Sequence, residues 1–117
     1  MTNRERTEVL QGTLDLMVLQ TLDVLGPRHG YAITARLEQV SNGALQINIG
    51  TLYAALMRLE QRKLVKGRWG TTETNRRARF YELTAAGRRQ LGSERASWEQ
   101  MADIMRAVLS DDAQGEG

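Results

Sequence analysis

Asn48-Ile49-Gly50-Thr51-Leu52-Tyr53-Ala54-Ala55-Leu56-Met57-Arg58-Leu59-Glu60 is the stretch on which the fold of this 117-residue chain turns. Leu52, Leu56 and Leu59, with Ala55 between them, recur at helical spacing and form one apolar stripe. Asn48 precedes them as an N-cap able to accept hydrogen bonds from the free amides of the first turn. Gly50, Thr51, Ala54, Arg58 and Gln61 fall on the other face. That face opens with small side chains and a hydroxyl and holds no acid in its first turn. Small residues let a backbone come close to a partner, and a helix N-terminus favours an anion. Two readings fit: a helix that enters a DNA groove, or a core helix with one solvent face.

On the N-terminal side, Leu10, Leu14, Met17, Val18, Leu22 and Leu25 recur three or four apart and predict a first helix over Val9 to Leu25, closed by Gly26-Pro27. Residues 1–8 are polar and read as frayed or loosely helical. Leu16, Leu19 and Val24 add apolar surface off the main stripe, as expected of a helix with two partners, the core and a second subunit. His29-Gly30-Tyr31 opens a short second helix to about Val40, with Tyr31, Ile33, Leu37 and Val40 on its buried side. His29 is the only histidine; with no Cys or second His to share a metal, it reads as a surface or capping residue. Ser41-Asn42-Gly43 is a turn, so the three helices form a helix-turn-helix.

On the C-terminal side, the third helix ends near Arg62-Lys63. Leu64 to Trp69 reads as extended, with Val65 and Trp69 on one side at period two. Gly70 to Asn75 is turn-prone, and Arg76 to Leu83 is a second extended run with Tyr81 and Leu83 facing the core. The result is a β-hairpin carrying Lys66, Arg68, Arg76, Arg77 and Arg79, the wing of a winged helix-turn-helix. Thr84 caps a last helix running from Ala85 to about Leu109. Gly87 and Gly92 weaken its first half by up to ~1 kcal/mol each relative to Ala, so packing must compensate. Leu91, Trp98 and Met105 repeat every seven residues, as do Met101 and Val108. A seam of that kind asks for a second copy of the chain. The fold class expected is therefore mostly α with a small β-hairpin. Residues 1–84 form a winged helix-turn-helix domain, 85–110 a dimerisation helix and 111–117 an acidic disordered tail.

The net charge of +2 conceals an uneven distribution. Residues 1–47 sum to −1, residues 48–90, with ten basic and three acidic side chains, to +7, and residues 91–117 to −4. A single charge run is more often a solvated loop, but a basic block that begins at the capped helix fits the footprint of a polyanion partner, and double-stranded DNA is the partner expected. Lys and Arg displace counterions from phosphates, side chains on the first turns of a helix read base edges, and a wing reaches the flanking backbone or minor groove. The hydroxyls of Thr51 and Tyr53 suit phosphate oxygens, although Tyr53 also fits a core position with its hydroxyl at the rim. The DNA-facing set expected is Asn48, Gly50, Thr51, Tyr53, Arg58, Lys66, Arg76 and Arg77. The chain has no cysteine, no nucleophile–base pair, no phosphate loop and no ligand cluster, which argues against an enzyme, a metal or a cofactor. No apolar run reaches membrane-span length and the first residues do not resemble a signal peptide, so a cytoplasmic protein without membrane contact is expected.

Taken together, Gly12-Thr13-Leu14-Asp15, His29-Gly30-Tyr31-Ala32-Ile33, Gly50 to Glu60, and Arg76 to Thr84 followed by Ala86-Gly87 resemble the PadR family of transcriptional regulators, short type, over residues about 10 to 90. Ala54 stands where the family often has Pro, which alters the helix start and removes no DNA-contacting group. The resemblance implies a homodimeric repressor acting on a palindromic operator, with Tyr53, its neighbours on that helix and the wing approaching DNA. Some family members respond to phenolic acids or cationic aromatic drugs, and one sandwiches a flat ligand between paired tryptophans of its C-terminal helices. By that likeness Trp98, with Met101 beside it, is a candidate platform for a small aromatic effector; Trp98 fits equally as a dimer-core aromatic. Glu94, Glu99 and Asp103 nearby suit a cation, and fit equally as solvated acids on a helix surface. A winged helix used as a protein–protein adaptor, without specific DNA binding, is the alternative function.

Overall fold

The computed structural model describes the backbone of residues 2–114 and the side chains of residues 12–110. In chain order the elements are α1 (Thr2–Leu25), β1 (Arg28–His29), α2 (Gly30–Val40), α3 (Ile49–Gln61), β2 (Val65–Thr71), β3 (Arg77–Leu83) and α4 (Ala85–Gln114). The strands form one antiparallel sheet in the order β1-β3-β2. The wing is thus the expected hairpin with a third, two-residue strand added. Arg28 and His29 pair with Tyr81 and Phe80 as the chain leaves the Gly26-Pro27 break.

The core sits where the three N-terminal helices meet the root of the wing. Leu52, Ala55, Leu56 and Leu59 of α3 are fully buried against Leu14, Val18, Leu19 and Leu22 of α1 and Ile33 and Leu37 of α2, with Val65, Tyr81 and Leu83 closing the sheet side. Burial of a Leu or Ile side chain is worth ~1.5–3 kcal/mol, so this α3 stripe anchors the element that the rest of the chain surrounds. On α2 the buried side is narrower than the sequence pattern indicates: Ile33 and Leu37 are in the core, while Tyr31 and Val40, at the two ends of the helix, are exposed.

Helix ends carry the expected chemistry. The Asn48 side-chain oxygen accepts from the amides of Gly50 at 2.7 Å and Thr51 at 3.3 Å. His29 caps α2, its Nδ1 accepting from the Ala32 amide at 3.3 Å. The Thr84 hydroxyl accepts from the Gly87 amide at 3.0 Å. At the far end of α3 the amides of Lys63 and Leu64 donate back to the carbonyls of Glu60 and Leu59, the paired bonds of a Schellman stop, with Lys63 in the left-handed conformation at φ 63°. This turn aims β2 away from the body.

α4 runs to Gln114, past the end near Leu109 that its apolar pattern indicates. The tail expected to lack structure therefore begins within the helix, and residues 115–117 lie outside those described. α1 likewise starts at Thr2; the side chains of residues 1–11, Leu10 among them, lie outside those described. The root of α4 packs on the domain through Leu91 and an Arg88–Asp23 pair at 3.8 Å. Its distal half turns Trp98, Met101, Ile104, Met105, Val108 and Leu109 to solvent, each about half exposed or more.

Candidate nucleic-acid interface

The outward face of α3 is a stripe of Gly50, Tyr53, Ala54, Met57 and Gln61, with Thr51 at its edge half-buried. Gly50 and Ala54 keep the first turns of this face low, and the Asn48 cap leaves the N-terminal end of the helix exposed. Met57 is 60% exposed in the middle of the stripe, an apolar group that the sequence pattern does not mark on this face.

Tyr53 is held rather than free. Its ring lies over Gly30, where an added Cβ would come within 2.9 Å of the ring and of the hydroxyl. Gly30 therefore leaves the space that Tyr53 occupies, which joins the His29-Gly30-Tyr31 motif to the Thr51-Leu52-Tyr53 motif through direct packing. Partial burial raises the Tyr53 hydroxyl pKa above its ordinary 10.0, with Tyr81 and Tyr31 adding to the shift. The ring thus packs at the rim of the core, and part of it stays at the surface.

Arg58 stands apart from this group. Its guanidinium turns back to α1 and donates to both Asp15 oxygens, at 2.8 Å and 3.4 Å, with about a third of the side chain exposed. The bidentate pair ties α3 to α1 across 43 residues of sequence. The Asp15 of the Gly12-Thr13-Leu14-Asp15 motif is thus the partner of Arg58, and no period in the sequence joins two residues so far apart.

The wing sorts its cations. Arg79 crosses β2 over Gly67, where an added Cβ would meet its Nε at 2.5 Å, and donates to Glu60 of α3 at 2.7 Å. This bond raises the Arg79 pKa further above its ordinary value. Lys66 and Arg68 share Glu82, at 3.4 Å and 3.5 Å, and both remain two-thirds exposed. Arg76 and Arg77 are exposed with no carboxylate within ion-pair distance among the described residues. The wing tip is a closed turn: the Thr72 amide donates to the Arg76 carbonyl at 2.8 Å, the Thr72 hydroxyl accepts from the Arg76 amide at 3.1 Å, and Asn75 adopts φ 65°. Of the expected set, Asn48, Gly50, Thr51 and Tyr53 cluster on the first half of α3, Lys66, Arg76 and Arg77 lie along the wing, and Arg58 is in the α1–α3 seam.

Trp98 and Met101 lie far along α4 from that surface, on the exposed row already described. Of the nearby acids, Glu94 accepts from Gln90 at 2.7 Å and Asp103 pairs with Arg106. A separate apolar groove of about 480 Å³, lined by Leu16, Met17, Val24, Val40, Leu45 and Arg95 among others, runs between α1, α2 and the root of α4. Among the described residues no group of three or more metal-ligating side chains occurs, and no helix is long and apolar enough to cross a membrane.

Three helices and a basic hairpin that follows α3 define a winged helix-turn-helix protein. Residues 18–93 match the family described as "Transcriptional regulator PadR-like family", and the chain belongs to that family. It is similar to a transcriptional regulator from Clostridium thermocellum, at 27% identity and TM-score 0.76, covering 85% of this chain and 95% of that one. It is also similar to a PadR family transcriptional regulator from Eggerthella lenta, at 28% identity and TM-score 0.73, over 92% and 91% of the two chains. Among curated relatives, it is 44% identical over 88 residues to an uncharacterised 37.1 kDa protein in a transposon of Streptomyces fradiae, covering 74% of this chain and 24% of that protein. A second, uncharacterised relative from Lysinibacillus sphaericus is 26% identical over 86% of this chain and 91% of its own length.

Proposed function

We propose that this regulator is a homodimeric repressor that reads a palindromic operator in double-stranded DNA with the N-terminal half of α3 and grips flanking phosphates with the wing. The observation that carries the reading is the sorting of the wing cations. Arg79 is committed to the fold, whereas Arg76 and Arg77 stand exposed without a carboxylate partner among the described residues. Dimerisation is supported by the exposed apolar row on the distal half of α4, which one domain leaves uncovered. Repression, and action on the chain's own promoter, follow from the family likeness, and a role at the chromosome implies a cytoplasmic protein. Relief by a small planar aromatic effector is the finer part of the proposal. Trp98 and Met101 would form its walls at the two-fold seam, with Glu99 the nearby acid that has no partner among the described residues.

Titrating binding against salt tests the DNA half. Removing one phosphate contact lowers the slope of log K against log[salt] by ~0.9, so replacing Arg76 and Arg77 by Ala in both subunits should lower it by up to ~3.6 and weaken binding to every duplex. An unchanged slope would remove the wing from the interface. Met57, exposed on α3, is the specific feature that favours an adaptor instead. In that case Met57→Ala would abolish capture of a protein partner while duplex binding was absent from the start.

A further inference from the structure

Trp69 is 58% exposed on β2, and the Arg77 guanidinium lies 4.7 Å from the centre of its indole ring. The pair is diagonal across the hairpin, since Trp69 faces Arg79 and Thr71 faces Arg77 in the strand register. Residues opposite one another in an antiparallel ladder share a face. Trp69 and Arg77 are therefore on the same face as Val65, Gly67, Arg79 and Tyr81. That is the face from which Arg79 reaches Glu60 of α3. Near the root it is covered by the core; towards the tip it leaves the body and becomes open surface beside α3.

An exposed tryptophan at this place is costly to leave in water, and apart from Arg77 more than half of it is left uncovered. What it does do is hold a guanidinium flat. A free Arg side chain loses rotamer entropy when it enters a groove; one already stacked on an aromatic face has lost much of it beforehand. The ligand chemistry that rewards a flat, pre-placed guanidinium next to an apolar plate is the narrow minor groove of A·T-rich DNA. Its enhanced negative potential draws Arg, and its sugar walls offer apolar contact. Resting on the DNA-binding reading given above, we infer that the Trp69–Arg77 pair is a pre-organised minor-groove probe. Arg77 makes the contact and Trp69 is its positioning residue, so that the wing prefers A·T over G·C flanks outside the bases that α3 reads.

The experiment uses the full chain and the duplex enriched by selection from a random pool, with its flanks remade as A·T or as G·C. The unmutated protein should prefer the A·T-flanked duplex. Trp69→Leu should reduce binding to that duplex by about two- to five-fold for each flank, the range of an exposed cation–π contact, and bring the two kinds of flank level while leaving the salt slope unchanged. Trp69→Phe, which keeps an aromatic face, should restore most of the preference. Arg77→Ala should remove the preference and lower the salt slope by up to ~1.8, ~0.9 for each subunit's wing. Because the chain has two tryptophans, Trp98→Phe leaves Trp69 as sole reporter, and its accessibility to a neutral quencher should fall when duplex is added. If the unmutated protein binds and Trp69→Leu keeps the flank preference, or Trp69 stays equally quenchable in the complex, the inference is overturned and the DNA reading stands. If the unmutated protein binds no duplex, both fall.

Discussion

Gly87→Ala and Gly92→Ala make the same chemical change five residues apart on one helix, and the structure predicts opposite results. Ala is favoured over Gly inside a helix by ~1 kcal/mol, so both should stabilise on propensity alone. At Gly87 an added Cβ would lie 2.0 Å from the Leu64 carbonyl oxygen, a full ångström inside the closest approach that Cβ atoms keep. That carbonyl is backbone, and it already accepts from the Thr84 amide at 3.0 Å and the Thr84 hydroxyl at 3.1 Å. The start of α4 must move away, at ~1–3 kcal/mol for the overpacking and ~1 kcal/mol for each hydrogen bond it strains. Set against the propensity gain, the net loss is ~2–4 kcal/mol, which for a domain of this size lowers the Tm by roughly 10–25 °C. Gly92 has nothing within 4 Å of an added Cβ, so its variant should gain up to ~1 kcal/mol and a few degrees. Calorimetry at one fixed protein concentration reads both, since the midpoint of an oligomer depends on concentration. A Gly87→Ala protein as stable as the unmutated chain would refute the close packing of α4 on the α3–β2 corner, and with it the account of how the wing is seated.

Other outcomes follow from the same geometry. Arg58→Ala should cost ~1–2 kcal/mol, below the full value of a charged hydrogen-bonded pair because a third of the side chain is exposed, and should leave the salt slope of DNA binding unchanged. A lower slope would return Arg58 to the interface. The raised Tyr53 pKa means that the folded chain holds the hydroxyl proton more tightly than the unfolded one. Its contribution is fully present below the unfolded value near 10.0 and is lost as pH rises through the higher folded value. Tyr53→Phe should therefore flatten the alkaline loss of stability in denaturant titrations above pH 10, and an equal loss in both proteins would place the titration elsewhere. A planar aromatic effector should quench tryptophan fluorescence in the unmutated chain and not in Trp98→Ala; quenching that survives points to Trp69. Charged substitutions at Met101 and Val108 should shift the protein from dimer to monomer in sedimentation, and unchanged dimers would move the subunit interface off the distal half of α4.

What the sequence shows plainly here is what is local and periodic. The α3 stripe, the Asn48 and Thr84 caps and the paired extended runs all follow from spacing, because side chains three and four apart on a helix, or two apart on a strand, must share a face. The destinations of the long charged side chains are not legible in this way. Arg58 and Arg79 look like the other cations of the +7 block, yet each is committed to a carboxylate on another element, Asp15 and Glu60. Glycines offer a clue that spacing does not use: Gly67 and Gly30 sit under Arg79 and Tyr53, where a larger residue would force that side chain to move. Strand β1 is hidden because two residues are too few to show alternation. Period two puts Trp69 on the Val65 side, as the sheet does, but it says nothing about where the core ends. One face of β2 passes from buried at Val65 to open at Trp69.

The central claim is that two copies of α3 and its wing read DNA as a two-fold pair, and selection of bound duplexes from a random pool tests it most directly. The expected result is an enriched inverted repeat whose half-site centres are ~10–10.5 base pairs apart, or a multiple of that, matching successive turns of the double helix. Enrichment of a single unrepeated site, or of none at low ionic strength, would contradict it.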